Sequence, residues 1–196
     1  MIARRGLRLF RNRATFDVLV GRLSSGDNPS CSSLPSISQL WLAQIKNDSD
    51  TPIVYTDGAC KFNGQNAAVG GIGVYWGPDS PLNVSEPLTG VQTNNRAELQ
   101  AVATALRQAV SLKYERVILR SDSQFLINSL SKWSSTWRRN GWKTVKGTDV
   151  KNRQDFEEIL ELMDKIQVEF EHVEGHSNES GNDEADRLAN EGVLKQ

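Results

Sequence analysis

Cysteine is nearly absent from this sequence: Cys31 and Cys60 are the only two among 196 residues. That excludes a disulfide-stapled secreted module and a cysteine-rich zinc site, and it makes a reducing compartment the default. No apolar run approaches the roughly eighteen residues that a membrane span needs, and the mean hydropathy is −0.48. Glycine and proline, 15 and 6 residues, are too few for a collagen-like or wholly disordered chain. Positive charge is also scarce where it would matter. The net charge is −1, of which residues 1–50 carry +3 and the remainder −4. A nucleic-acid binder of the crude basic kind would reverse that balance, so any contact with a polyanion has to come from a local patch. What is left is enough chain for one substantial core and too little for two ordinary domains.

The opening segment lacks acids. Arg4, Arg5, Arg8, Arg11 and Arg13 precede the first one, Asp17, and Leu7, Phe10 and Ala14 form a helical stripe beside them. Two readings fit this composition: a mitochondrial transit peptide, and a basic tail that attracts polyanions. Residues 24–36 are Ser-rich and read as a linker. The expected organisation is therefore an N-terminal extension over residues 1–50 and one folded domain over residues 51–196. The expected location is intracellular, mitochondrial on the first reading and nuclear or cytoplasmic on the second.

From residue 51 the pattern changes. Ile53, Val54, Tyr55 and Thr56 predict a strand ending in a turn at Asp57-Gly58. Residues 70–76 predict a second strand whose glycines permit close backbone approach, and residues 84–88 a weaker third. From Asn95 the apolar period becomes helical through Val102, Leu106 and Ala109. A buried strand over 116–120, a helix over 124–130, a helix through Phe156 and Ile159, a strand through Val168 and Phe170, and a closing helix over 183–193 follow. Three strands and then alternating helix and strand give an α/β fold: one five-stranded mixed sheet with helices on both faces.

Four acids stand at places where each has an ordinary explanation. Asp57 sits in a hairpin-like Asp-Gly pair, and Asp122 sits where an N-cap would. Glu98 has capping-box spacing from Asn95, and Asp186 lies in the early turns of the last helix. Their faces argue otherwise. Glu98 shares a side with Val102 and Leu106, and Asp186 shares one with Ala189 and Val193. A carboxylate aimed at a core is costly without a positive partner, and converging acids raise one another's pKa. A pair of divalent cations relieves that repulsion, and oxygen ligands select magnesium or manganese. Two such ions in a carboxylate cage are the usual apparatus of phosphodiester hydrolysis.

The ordered set of motifs goes further. Tyr55-Thr56-Asp57-Gly58, Thr93-Asn94-Asn95-Arg96-Ala97-Glu98-Leu99 and Ser121-Asp122-Ser123 resemble those of type 1 ribonuclease H, as do Gly175-His176-Ser177 and residues 181–189. The resemblance runs from about Thr51 to Val193 and is to the cellular eukaryotic form, which cuts the RNA strand of RNA–DNA hybrids. It implies a ribonuclease H-like fold, an endonuclease leaving 5′-phosphate and 3′-hydroxyl ends, a role in R-loop removal, and two Mg2+ ions for which Mn2+ can substitute. It implies that Asp57 bridges both ions, that Asp186 helps hold the ion nearer the attacking water, and that Glu98 and Asp122 complete the other. It places His176 on a loop where it assists proton transfer or product release. His172, on the alternation of a strand, reads as structural.

Between Ser123 and Thr148 there is no acid, while Lys132, Arg138, Arg139, Lys143 and Lys146 alternate with Trp133, Trp137 and Trp142. Aromatics among cations suit a groove that tracks one nucleic-acid strand; the plainer alternative is a helical hairpin core with a solvated face, and Trp142 fits that. By the resemblance, Trp133 and Trp137 line the channel for the DNA strand, and Thr93 and Asn152 hold a DNA phosphate. Val91 replaces an arginine often found there, which implies a weaker phosphate grip. Asn63, Asn94 and Asn95 are expected at the minor groove, where 2′-hydroxyls distinguish RNA. Residues 1–50 are too short and serine-rich for the separate hybrid-binding module of many eukaryotic relatives, so low processivity is expected. The partner is the hybrid itself, with no obligate protein partner, no membrane and a monomeric state. Two alternatives were weighed: a catalytically silent hybrid-binding module, and the ribonuclease H domain of a mobile-element polymerase. Retention of all four acids disfavours the first, and the basic tryptophan segment with the Arg-rich start disfavours the second.

Overall fold

The computed structural model describes residues 51–175 and 180–195. The expectations for residues 1–50 and for His176 lie outside that set. Strand β1 (Ile53–Lys61) is the middle of a five-stranded sheet ordered β3-β2-β1-β4-β5. Strands β2 (Val69–Tyr75) and β3 (Val84–Pro87) continue from it as an antiparallel meander, while β4 (Arg116–Ser121) and β5 (Gln167–His172) run parallel to it. The sheet is thus mixed, as its sequence pattern predicts. No helix among the described residues is long and apolar enough to cross a membrane.

The two faces are covered in different ways. Helix α1 (Asn94–Ser111) lies over one face and helix α4 (Arg153–Met163) packs on α1, so that Leu99, Val102, Leu106, Phe156 and Ile159 share one core with Val54, Val74, Val117 and Leu119. Each of these large side chains contributes about 1.5–3 kcal/mol by leaving water, so this layer holds most of the apolar stabilisation. On the other face helix α5 (Ser180–Val193) approaches the sheet nearly backbone to backbone. A Cβ on Gly73 would overlap the carbonyl oxygen of Ala185, and one on Gly71 would overlap that of Ala189. Glycine is needed there for space.

Three expectations need correction. Asp57-Gly58 is not a turn: β1 runs on to Lys61, with Asp57 paired to Gly73 and Gly58 to Ile72. Gly58 is small because the first turn of α1 rests on it; a Cβ would overlap the Glu98 amide nitrogen. Glu98 is not part of a capping box, because the N-cap of α1 is Thr93, whose Oγ1 accepts from the Arg96 amide at 3.4 Å. The helix expected over 124–130 is longer and interrupted. It consists of α2 (Gln124–Asn128), a π-helical turn (Ser129–Trp133) and α3 (Ser134–Arg139). Ser131 and Ser134 donate to the carbonyls four residues back, Ile127 and Leu130, at 2.6 and 2.8 Å. Serines at these places break the apolar period that would have announced the extension.

Candidate active site

The acids converge because of strand order. Parallel pairing sets Tyr55 beside Arg120, and the same register carried two residues on sets Asp57 across from Asp122. Asp122 follows β4 directly and precedes Ser123, the true N-cap of α2, which accepts from the Leu126 amide at 3.3 Å. Residues of β1 alternate between the faces, so Asp57 shares the α5 side with its partner Gly73. There it faces Asp186, whose negative charge acts on it. Asp186 lies beyond the first turn of α5, where the helix dipole has faded and where Asp183 is the acid.

Electrostatics register this crowding. Burial, then the charge of Asp122, then that of Asp186 push the Asp57 carboxyl up to about 7, against a single favourable bond from the Gly58 backbone. None of the groups acting on it is a cation. Burial also raises Glu98, opposed by hydrogen bonds from Ser123 and Asn94 and reinforced by the charge of Asp122. Protein donors hold the remaining oxygens. Ser123 Oγ donates to Glu98 Oε2 at 2.6 Å and Asn94 Nδ2 to Glu98 Oε1 at 3.0 Å. Asn182 Nδ2 donates to Asp122 Oδ2 at 3.3 Å, and Asn190 Nδ2 to Asp186 Oδ1 at 2.9 Å. As they stand, no three His, Cys, Asp or Glu side chains among the described residues are close enough together to hold one ion. The donor set nonetheless fits hard divalent cations: four carboxylates, with no lysine or arginine acting on the most crowded one.

Beside the acids lies an open cleft of about 490 Å3. Asn63, Thr93, Asn94 and Asn95 line it together with Trp137, Asn152, Phe125, Thr148 and Lys151. Six of the seven residues expected to meet nucleic acid therefore line one cavity. Trp133 does not line it. It stands alongside in a chain of rings, 5.9 Å from Phe125 and 6.0 Å from Trp137, and is 40% exposed. Trp137 continues to Phe156 at 5.2 Å and to buried Trp142 at 6.3 Å. Trp142 is thus a core residue, and Trp137 joins the core to the cleft. Val91 is 67% exposed. Arg96, the nearest guanidinium in sequence, is tied to Asp155 at 3.0 Å and to the carbonyls of Thr89 and Val91.

Sequence reasoning assigned no role to Ser123, Asn182 or Phe125. The first two lie inside the recognised motifs, whose spacing did not reveal which acid each would hold. Phe125 carries a weak signal, an apolar residue on the outer side of a short helix, and it is 45% exposed. His172 ends β5 exposed, with Nε2 3.1 Å from the Asp122 carbonyl oxygen, so its structural role is at the rim of the acid site.

Comparison with known proteins agrees with this geometry. The RNase H family profile matches residues 49–194. Ribonuclease H1 of Mus musculus is 48% identical over 144 residues, 74% of this chain and 50% of the mouse protein. Ribonuclease H of Francisella tularensis subsp. novicida is 40% identical over 152 residues, 78% of this chain and 97% of that protein. The crystal structure of LC9-RNase H1, a type 1 RNase H with the type 2 active-site motif, superposes with a TM-score of 0.56 at 26% identity, covering 76% of this chain and 75% of that one. The chain spans about half the length of the mammalian relatives it matches. By its profile, its identities and its sheet order, this chain belongs to the RNase H family.

Proposed function

We propose that this chain is an endonuclease that hydrolyses the RNA strand of RNA–DNA hybrids, leaving 5′-phosphate and 3′-hydroxyl ends, and that it depends on two Mg2+ ions. One observation carries the reading: acids from β1, α1, the end of β4 and α5 meet beside a cleft walled by amides and aromatic rings. Asp57, Glu98, Asp122 and Asp186 are the residues that would hold the ions, with Mn2+ as a substitute. When bound, the ions supply charge stabilisation to the entering and departing oxygens of the phosphodiester.

The chain's own residues do the rest. Ser123 and Asn94 fix both oxygens of Glu98, and Asn182 fixes one of Asp122, so the carboxylates are oriented before substrate arrives. The proton that Asp57 holds in this crowded setting has to leave for it to act as an anion. Asn63, Asn94 and Asn95 present amides to the minor groove, where a 2′-hydroxyl can both donate and accept. Thr93 and Asn152 face a phosphate of the DNA strand, and the rings of Trp133 and Trp137 offer an apolar surface to a deoxyribose. His176 assists proton transfer or release of the product. R-loop removal is the cellular task that suits this substrate, and the Arg-rich start supports delivery to mitochondria. The decisive assay offers RNA–DNA, RNA–RNA and DNA–DNA duplexes of one sequence. Cutting confined to the RNA of the hybrid, and abolished by EDTA, supports the proposal; cutting of all three, or indifference to EDTA, rejects it.

A further inference from the structure

Two residues back from Asp57 and Asp122, four side chains stand in one row across the sheet. Tyr75 of β2 is paired with Tyr55 of β1, Tyr55 with Arg120 of β4, and Arg120 with Glu171 of β5. Side chains two apart on a strand share a face, so the row lies on the same side as Asp57, the α5 side. Its members are joined to one another. Arg120 Nη1 donates to the Tyr55 hydroxyl at 2.6 Å and Arg120 Nε to Glu171 Oε2 at 2.7 Å. The same guanidinium lies 5.5 Å from the centre of the Tyr55 ring, and the Tyr75 ring flanks Tyr55 at 6.3 Å. The Arg120–Glu171 pair is partly exposed and so contributes little to stability by its charge. What it does is hold one ring in one orientation.

That ring is the seat of α5. It fills the space where Gly181 would carry a side chain: a Cβ there would fall 2.3 Å from Tyr55 Cε2. The first turn of the helix therefore rests on Tyr55. The next residue, Asn182, is 2% exposed and donates to Asp122 Oδ2 at 3.3 Å, while its Oδ1 has no hydrogen-bond partner among the described residues. With one long bond and no second anchor, the amide is aimed by where the helix backbone sits. Asp186 follows about one turn further along the same helix. We infer that Arg120 is a positioning residue: by fixing the Tyr55 ring under Gly181 it sets the start of α5, and through Asn182 and Asp186 it shapes the acid site for divalent cations. This rests on the proposed role of the four acids as metal ligands.

The sign of one measurement separates positioning from a plain effect of charge. Full-length wild type, Arg120→Met, Tyr55→Phe and the double variant are titrated with Mn2+ by calorimetry, without nucleic acid. Removing a cation two residues from Asp122 would, by charge alone, tighten Mn2+ binding. Positioning predicts the reverse. Arg120→Met should bind Mn2+ about tenfold more weakly, and Tyr55→Phe, which keeps the ring and loses its hydroxyl, about threefold. The double variant should be no worse than Arg120→Met, since both changes act through one contact. Unchanged or tighter binding in Arg120→Met overturns the inference, and so do losses that multiply in the double variant. Should Arg120→Met fail to fold, Tyr55→Phe decides alone: weaker binding supports the inference and wild-type binding overturns it. If wild type itself binds no Mn2+, the metal-ligand reading fails first and this inference falls with it, an outcome distinct from the others.

Discussion

The acid centre and the aromatic cleft lie side by side and are built on opposite principles. The acid centre works against the fold: Asp57 is buried among like charges, and its carboxyl rises to about 7. The cleft supports the fold, since half-buried Trp137 packs on Phe156 and Trp142, and the outer rings of the chain, Trp133 and Phe125, are the exposed ones. Chemistry is placed where the protein is electrostatically strained, and recognition where it is well packed. Substitutions in the two regions should accordingly fail in different ways.

The largest expected effect is on turnover. Asp122→Asn should lower single-turnover cleavage by about a thousandfold or more, ~4 kcal/mol of barrier, while hybrid affinity by anisotropy stays within about threefold. Equal losses in both would erase the distinction between the regions. Gly73→Ala should follow. It forces a methyl into the Ala185 carbonyl and should cost at least ~3 kcal/mol in urea unfolding, because α5, which carries Asp186, has no room to retreat. In the cleft, Trp137→Ala should lose ~3 kcal/mol of stability. Trp133→Ala should lose under ~1 kcal/mol yet weaken hybrid binding about five- to tenfold. If Trp133→Ala leaves affinity unchanged, the exposed ring is not part of recognition.

The smallest expected effect has a defined sign. The Asp57 carboxyl is raised from 3.8 to about 7 on folding, so the folded state holds this proton more tightly than the unfolded one. The associated stability is fully present below about pH 4 and is lost as pH rises through 7. In metal-free buffer Asp57→Asn should therefore stabilise the protein at pH 8, by ~1–2 kcal/mol in urea unfolding. At pH 4 it should give no such gain. A variant destabilised at pH 8 would show that Asp57 is not under charge repulsion.

Much of this was legible in the sequence. The β-branched run Ile53, Val54, Tyr55 and Thr56, and the 3.6-residue period through Val102 and Leu106, announced the first strand and the main helix. The motifs named the four acids. What escaped has physical causes. An Asp-Gly pair signals a hairpin turn, yet the same glycine can make room for a helix, and only the position of α1 over Gly58 decides. The π-turn over Ser129–Trp133 left no apolar period to read, because Ser131 within it and Ser134 just after it bond backward to carbonyls. The donors that hold Glu98 and Asp122 are side chains whose targets lie 25 and 60 residues away in sequence. Residue type alone suggests that Ser123 and Asn182 can donate, but not to what.

The central claim is that Asp57, Glu98, Asp122 and Asp186 together hold divalent cations. Its most direct test is anomalous scattering from Mn2+ in crystals of the protein with a hybrid. The account predicts two peaks within coordination distance of these carboxylates, with Asp57 touching both. An active protein whose Mn2+ peaks lie elsewhere, or whose Glu98, Asp122 and Asp186 remain bonded only to Ser123, Asn94, Asn182 and Asn190, would contradict it.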